Sequence, residues 1–201
     1  MDSYWKRKTF VIITGASRGI GRAAAEKIAD LVSPDSVILL VSRDEDQLTA
    51  VKTSIQKHSK VNIQIGAVDL SACNEKTLSL LLSSTLADLN MSWESFDHAI
   101  CIHNAGSLGD LTKRAIDLNQ TGECDEYFRL NLISVLILNG LFVKNFTKTE
   151  KTVVNISSLC AVQPFPSFSL YCTGKAARDM FFKVNIDILL HCVLSNNLKL
   201  T

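Results

Sequence analysis

The chain has 201 residues, 47% hydrophobic and 20% charged, with 21 basic against 20 acidic side chains for a net charge of +1. That length suits one domain with a sizeable core. The near-neutral balance carries no electrostatic footprint for nucleic acid or an anionic membrane surface, and the longest apolar run, LISVLILNGLFV at 132–143, is too short to span a bilayer.

Short apolar strands alternate with longer helical patterns. TFVIIT (9–14) is a continuous β-branched run, as a strand buried on both faces should be. A helix is predicted over 19–32, and SVILLVS (36–42) is a second buried strand. Residues 44–58 read as a helix with Asp44 as N-cap, VNIQIGAVDL (61–70) as a third strand, and 74–89 as a leucine-rich helix. FDHAICIHNAG (96–106) holds a fourth strand, 123–146 suits one long helix, TVVNISS (152–158) is a fifth strand, and a last helix covers 168–190. This alternation predicts an α/β, Rossmann-type, doubly wound parallel sheet with ligands bound beyond the carboxyl ends of the strands.

The six cysteines, Cys73, Cys101, Cys124, Cys160, Cys172 and Cys192, form no CxxC pair and read as free thiols of a reducing compartment. The start, MDSYWKRKTFVIITGA, reads as a first strand and not as a signal peptide, so a cytoplasmic location is expected. His58, His98, His103 and His191 have no metal-ligand spacing with the cysteines, and no metal site is expected.

TGASRGIG (14–21) follows the first strand and opens a helix. Gly15 allows a sharp turn, while Gly19 and Gly21 let the backbone approach a pyrophosphate and the helix pack on the sheet. The helix N-terminus offers free N–H groups to the phosphates. The bland alternative is a plain strand–helix turn, but the placement between a buried strand and a helix favours a dinucleotide. The second strand ends VSRDED: Ser42 and Arg43 come first, and Arg18 lies in the glycine loop. Two guanidinium groups near one spot suit the 2′-phosphate of NADP(H). In the competing reading Arg43 is a solvated loop residue and Asp44 takes the acidic role that holds the ribose of NAD.

Tyr171 and Lys175 stand four apart in a helical segment, so both share one face. A nearby ammonium favours the ionised form of a phenol. Tyr171 is therefore a credible acid for a carbonyl oxygen receiving hydride. Ser158, at the end of the fifth strand, can hydrogen-bond the same oxygen. Against this, Tyr171 can simply pack in a helix interface with Lys175 a solvated charge. Spacing and composition stop at an NADP-dependent carbonyl reductase.

TGASRGIG, HNAG (103–106), Asn131, Ser158 and YCTGK (171–175) together resemble the short-chain dehydrogenase/reductase family over residues 9–184. His103 departs from the family's usual NNAG, a change the backbone turn should survive. HNAGSLGD, NISSLCAVQPF and LYCTGKAARDM further resemble the branch that reduces pterin side-chain ketones, the last step to tetrahydrobiopterin. The resemblance implies Tyr171 as proton donor. Lys175 would bind the nicotinamide ribose and make the phenol a stronger acid. Ser158 would polarise the substrate carbonyl, and Asn131 would hold a relay water. Gly15, Ser17, Arg18, Gly19, Ile20, Gly21, Ser42, Arg43, Asp69, Leu70 and Asn104 would line the cofactor. It also implies a homodimer through the helices carrying Asn131 and Tyr171.

After Val184 the likeness stops, leaving one NADP-binding domain with a divergent tail at 185–201. The family's last strands and the acidic anchor of the pterin ring are absent from these residues. A sheet in the order 3-2-1-4-5 would end on an exposed fifth strand, an aggregation hazard. The competing expectation is thus a shortened isoform that binds NADP or dimerises with little or no activity.

Overall fold

The computed structural model describes residues 2–184. In chain order the elements are α1 (Asp2–Trp5), β1 (Thr9–Thr14), α2 (Gly19–Ala29), β2 (Val37–Ser42), α3 (Glu45–Gln56), β3 (Asn62–Ala67) and α4 (Glu75–Ala87). Then follow β4 (His98–His103), α5 (Thr121–Phe128), a π-helical segment (Arg129–Ile133), α6 (Ser134–Asn145), β5 (Glu150–Asn155) and α7 (Ser169–Val184). Among the described residues five parallel strands form one sheet in the order β3-β2-β1-β4-β5, as predicted. The expected continuation of the last helix to 190 and the tail 185–201 lie outside the described residues.

Successive strand side chains point to opposite faces, and the core divides accordingly. Phe10 and Ile12 of β1 join Leu78 and Leu82 of α4, Leu138 and Phe142 of α6, and Phe182 of α7. Val11 and Ile13 join Ala25 and Ile28 of α2 with Leu48, Val51 and Ile55 of α3. Central strands covered on both faces are buried along their length, as β1 and β4 are at every position, with polar side chains only at their ends.

Two elements differ from expectation. The single helix foreseen over 123–146 is broken by the π-helical turn Arg129–Ile133, where Ser134 N–H reaches back to Arg129 O. The wider turn sits at Asn131, and π turns of this kind are frequent at functional sites. The helical stretch 121–145 is long and apolar enough to cross a membrane by length and composition. Its Val135, Leu138 and Phe142 are nevertheless buried against the sheet, as in the core helix of a globular domain. The short α1 was not foreseen: Tyr4 Oη bonds Thr152 Oγ1 at 2.7 Å and His98 Nε2 at 3.1 Å, fastening it beside β4 and β5.

Candidate active site

The carboxyl ends of the strands open on a cavity of about 920 Å³. Its floor is the turn between β1 and α2. Gly15 and Gly19 have φ of +66° and +55°, a left-handed backbone that favours glycine. A Cβ on Gly21 would stand 2.3 Å from Gly15 O and 2.6 Å from Asn104 Nδ2, so only glycine lets helix and loop approach this closely. At Gly19 a Cβ would meet nothing within 4 Å, leaving the first turn of α2 open to a ligand. A phosphate-bearing group therefore fits this cradle.

The β4 end is tied to the cradle through Thr14. Its Oγ1 accepts from Asn104 N and Ala105 N, each at 3.1 Å, and Asn104 Nδ2 donates to Thr14 O at 2.9 Å and Gly15 O at 3.1 Å. The turn survives the histidine at 103: that ring is buried beside Phe182, with centroids 5.4 Å apart. Burial, with Arg178 adding to it, pushes the His103 imidazole down to about 3, so it is neutral.

Across the cavity, Ser42 Oγ donates to Ser17 Oγ at 3.1 Å, joining β2 to the glycine loop. Arg18 and Arg43 are both exposed on the cavity wall, and neither has an ion pair among the described residues. Asp44 caps α3: its two oxygens accept from Gln47 N at 3.0 Å and Gln47 Nε2 at 2.8 Å. Asp44 thus serves α3 as its cap, while the two exposed arginines on the same wall suit a 2′-phosphate. Asp69 is exposed on the wall, where Ser71 donates to it through N at 2.9 Å and Oγ at 2.7 Å. These bonds, with Arg43 nearby, hold its carboxyl below the usual range. Leu70 completes that wall.

The other end of the cavity reaches Asn131 and Leu170, the residue before Tyr171. Asn131 is buried in the π-helical turn. Its Oδ1 accepts from Ser107 N at 2.8 Å and its Nδ2 donates to Tyr127 O at 3.0 Å. On α7, Lys175 Nζ lies 5.6 Å from the centroid of the Tyr171 ring and donates to Ile156 O at 2.5 Å. Burial, and next the charge of Arg178, push Lys175 down to about 8, leaving it mostly cationic at neutral pH. Ser158 Oγ accepts from Cys160 N at 3.2 Å as the cap of the turn Leu159–Ala161. Capping uses a lone pair and leaves the hydroxyl hydrogen free to donate to a carbonyl oxygen. Ser158, Tyr171 and Lys175 do not line the cavity itself; they adjoin it through Leu170 and through the packing of α7 on the π-helical segment.

Three features of the site do not stand out in the sequence. Thr14 is the hinge pin between the cradle and the β4 turn. Tyr127 lines the cavity, with its ring edges against Gly109 and Gly174, where added Cβ atoms would stand 3.1 and 3.2 Å away. The spacing of Tyr127 and Asn131, one helical turn apart, was an available signal. Arg178 and Asp179 are buried beneath the site, and only tertiary contacts reveal them.

A model of the short chain dehydrogenase family matches residues 9–188. Sepiapterin reductase of Rattus norvegicus is 41% identical over 177 residues, covering 86% of this chain and 66% of that one. The Bos taurus sepiapterin reductase is 41% identical over 181 residues, covering 88% and 66%. A benzil reductase ((S)-benzoin forming) of Bacillus subtilis is 32% identical over 172 residues, covering 85% and 63%. The chain thus spans about two thirds of the length of these relatives. Among solved structures, a metagenomic short-chain oxidoreductase in complex with NADP superposes with a TM-score of 0.75 at 22% identity, over 94% of this chain and 82% of that one. A short chain dehydrogenase from Shigella flexneri gives a TM-score of 0.76 at 22% identity, over 92% and 70%. At such identity these two structures speak to the fold alone.

Proposed function

This chain belongs to the short-chain dehydrogenase family, and from that premise we propose that it is an NADPH-dependent carbonyl reductase of the sepiapterin reductase type. Its substrate would be the side-chain ketone of a pterin, in tetrahydrobiopterin formation in the cytoplasm. The observation that carries the reading is the arrangement on α7: Lys175 Nζ is held to Ile156 O and stands 5.6 Å from the Tyr171 ring, with Ser158 two residues beyond that carbonyl.

The nicotinamide supplies a hydride when bound. Gly15, Ser17, Gly19, Ile20 and Gly21 would hold the pyrophosphate, and Arg18, Ser42 and Arg43 would take the 2′-phosphate. Asp69 and Leu70 would line the adenine end, and Asn104 with Lys175 would hold the nicotinamide ribose. Ser158 donates to the substrate carbonyl and fixes its orientation. Tyr171 would give a proton to the oxygen of the carbonyl being reduced. The phenolate left on Tyr171 is stabilised by the Lys175 ammonium and regains a proton through water held at Asn131. The helical stretches carrying Asn131 and Tyr171 would form a homodimer interface; Ile133 on the first and Met180 and Val184 on the second are exposed.

The test is turnover of sepiapterin with NADPH, followed by absorbance, for this chain and for Tyr171→Phe. Turnover that falls by about 10²-fold or more in Tyr171→Phe, with NADPH binding retained, supports the reading. Folded protein that binds NADPH and leaves sepiapterin unreduced refutes it, as does turnover indifferent to the substitution.

A further inference from the structure

Below Tyr171 and Lys175, α7 carries two adjacent buried charged residues. Arg178 is 1% exposed and Asp179 is 7% exposed. The proposed chemistry uses neither, and apolar side chains of similar volume would fill the space without removing charge from water.

Their partners are few and specific. Arg178 donates from Nη2 to His103 O at 2.5 Å, from Nη1 to Ala105 O at 3.1 Å and from Nε to Asn155 Oδ1 at 2.9 Å. Asp179 accepts from Asn155 Nδ2 at 2.8 Å and from Ser157 Oγ at 2.6 Å. The two carbonyls gripped by Arg178 flank Asn104, the residue that ties the β4 turn to the phosphate cradle. The two side chains gripped by Asp179 flank Ile156, whose carbonyl receives Lys175, and Ser157 leads directly into Ser158. One pair of residues thus reaches both sides of Asn104 at the end of β4 and of Ile156 at the end of β5. A planar guanidinium spreads its donors over three nitrogens in a fixed fork and so reaches three separate acceptors, whereas the donors of a lysine share one nitrogen.

We propose that Arg178 and Asp179 are positioning residues of the active site, locking α7 to the β4 turn and the β5 end so that Asn104, Ser158 and Lys175 keep one mutual geometry and Lys175 one electrostatic setting. This rests on the reading of those three as reductase site residues. Lys175 faces Tyr171, Arg178 and Asp179 on its own helix and Cys160 on the turn after β5, while Tyr127 of α5 faces Arg178 and Tyr171. Arg178 disfavours the Lys175 ammonium and Asp179 favours it.

The test is the pH dependence of NADPH affinity, measured by fluorescence titration between pH 6 and 10, with thermal unfolding recorded alongside. In the wild type, affinity falls as Lys175 loses its proton near pH 8. Arg178→Met removes a positive neighbour and is expected to move that midpoint up by about one pH unit; Asp179→Asn removes a negative neighbour and is expected to move it down. Both variants also unfold at lower temperature, so a purely structural role predicts lower melting temperatures with an unmoved midpoint. That outcome overturns the proposal, as do shifts in the same direction or the lack of a midpoint in the wild type. Should Arg178→Met fail to fold, Arg178→Lys keeps the charge and loses the fork. It is expected to weaken NADPH about tenfold with the midpoint in place, and undiminished affinity in that variant overturns the proposal. NADPH binding needs no ketone turnover, so a wild type that binds NADPH and leaves sepiapterin unreduced refutes the functional reading while the midpoints still decide this one.

Discussion

Replacing His103 with asparagine, the residue usual in the family at that position, should flatten the acid side of the stability curve. The His103 ring is 1% exposed at the end of β4, and burial first and Arg178 second push it down to about 3. In the unfolded chain the same ring titrates near 6.5. The folded value is depressed, so the folded ring stays neutral while the unfolded one gains a proton. Its contribution is therefore complete above about pH 6.5 and is lost as pH falls from there toward 3. The slope approaches about 1.4 kcal/mol per pH unit, and the loss between pH 7 and pH 5 amounts to about 2 kcal/mol. His98 is also pushed down, by burial first and Arg7 second, but it is present in both proteins and cancels in the comparison. Asparagine forfeits the packing of the ring on Phe182, so His103→Asn should be the less stable protein at pH 7 and close most of that gap by pH 5. Urea unfolding followed by tryptophan fluorescence at pH 7, 6 and 5 measures both curves. Parallel curves for the two proteins would refute the reasoning.

Other substitutions probe the cofactor floor and the lysine. Lys175→Met should raise stability at pH 7 by about 1–3 kcal/mol while weakening NADPH binding, because a buried ammonium pushed down to about 8 is carried at a cost below that pH. The sign follows from its depressed value: wild-type stability rises with pH between about 8 and the unfolded lysine's 10.4, and calorimetric scans in that window should show a rise that the variant lacks. Gly21→Ala brings a methyl to 2.3 Å from Gly15 O, so NADPH affinity should drop at least tenfold, with a lower melting temperature. Arg43→Ala removes charge-assisted bonds to the 2′-phosphate and should weaken NADPH about tenfold or more while leaving NADH unchanged, as read by titration with each cofactor.

The sheet was legible because its central strands are buried on both faces and so read as unbroken apolar runs: TFVIIT and SVILLVS match β1 and β2 almost residue for residue. The Asp44 cap was legible for a local reason, since its partner Gln47 is three residues away. What could not be read depends on distant contacts. The four residues of α1 are held by Tyr4 to His98 and Thr152, which lie 94 and 148 positions on. The break at Arg129–Ile133 leaves the apolar periodicity on either side nearly intact, so 123–146 reads as one helix. Arg178 and Asp179 look like ordinary helix charges until Asn155 and Ser157 are placed opposite them.

That division has a physical consequence for the site. The phosphate cradle is built almost wholly from backbone and short-range contacts: two left-handed glycines, the first turn of α2 and the bonds of Thr14 to Asn104 and Ala105. The part that would carry the chemistry is built from side chains on α7 whose alignment depends on buried charges reaching two strand ends. Buried polar contacts of this kind lose more than their own bond when one partner goes, because the remaining groups stay buried and unpaired. Damage to α7 should therefore disturb Asn104 and the Lys175 acceptor together, whereas damage to Arg18 or Arg43 stays local to the adenine end. The two ends of the cavity are joined at Asn104, which bonds the cradle through its side chain while its neighbours on both sides are held by Arg178. Asn104 is thus the residue through which a fault in the chemical half would first weaken cofactor binding.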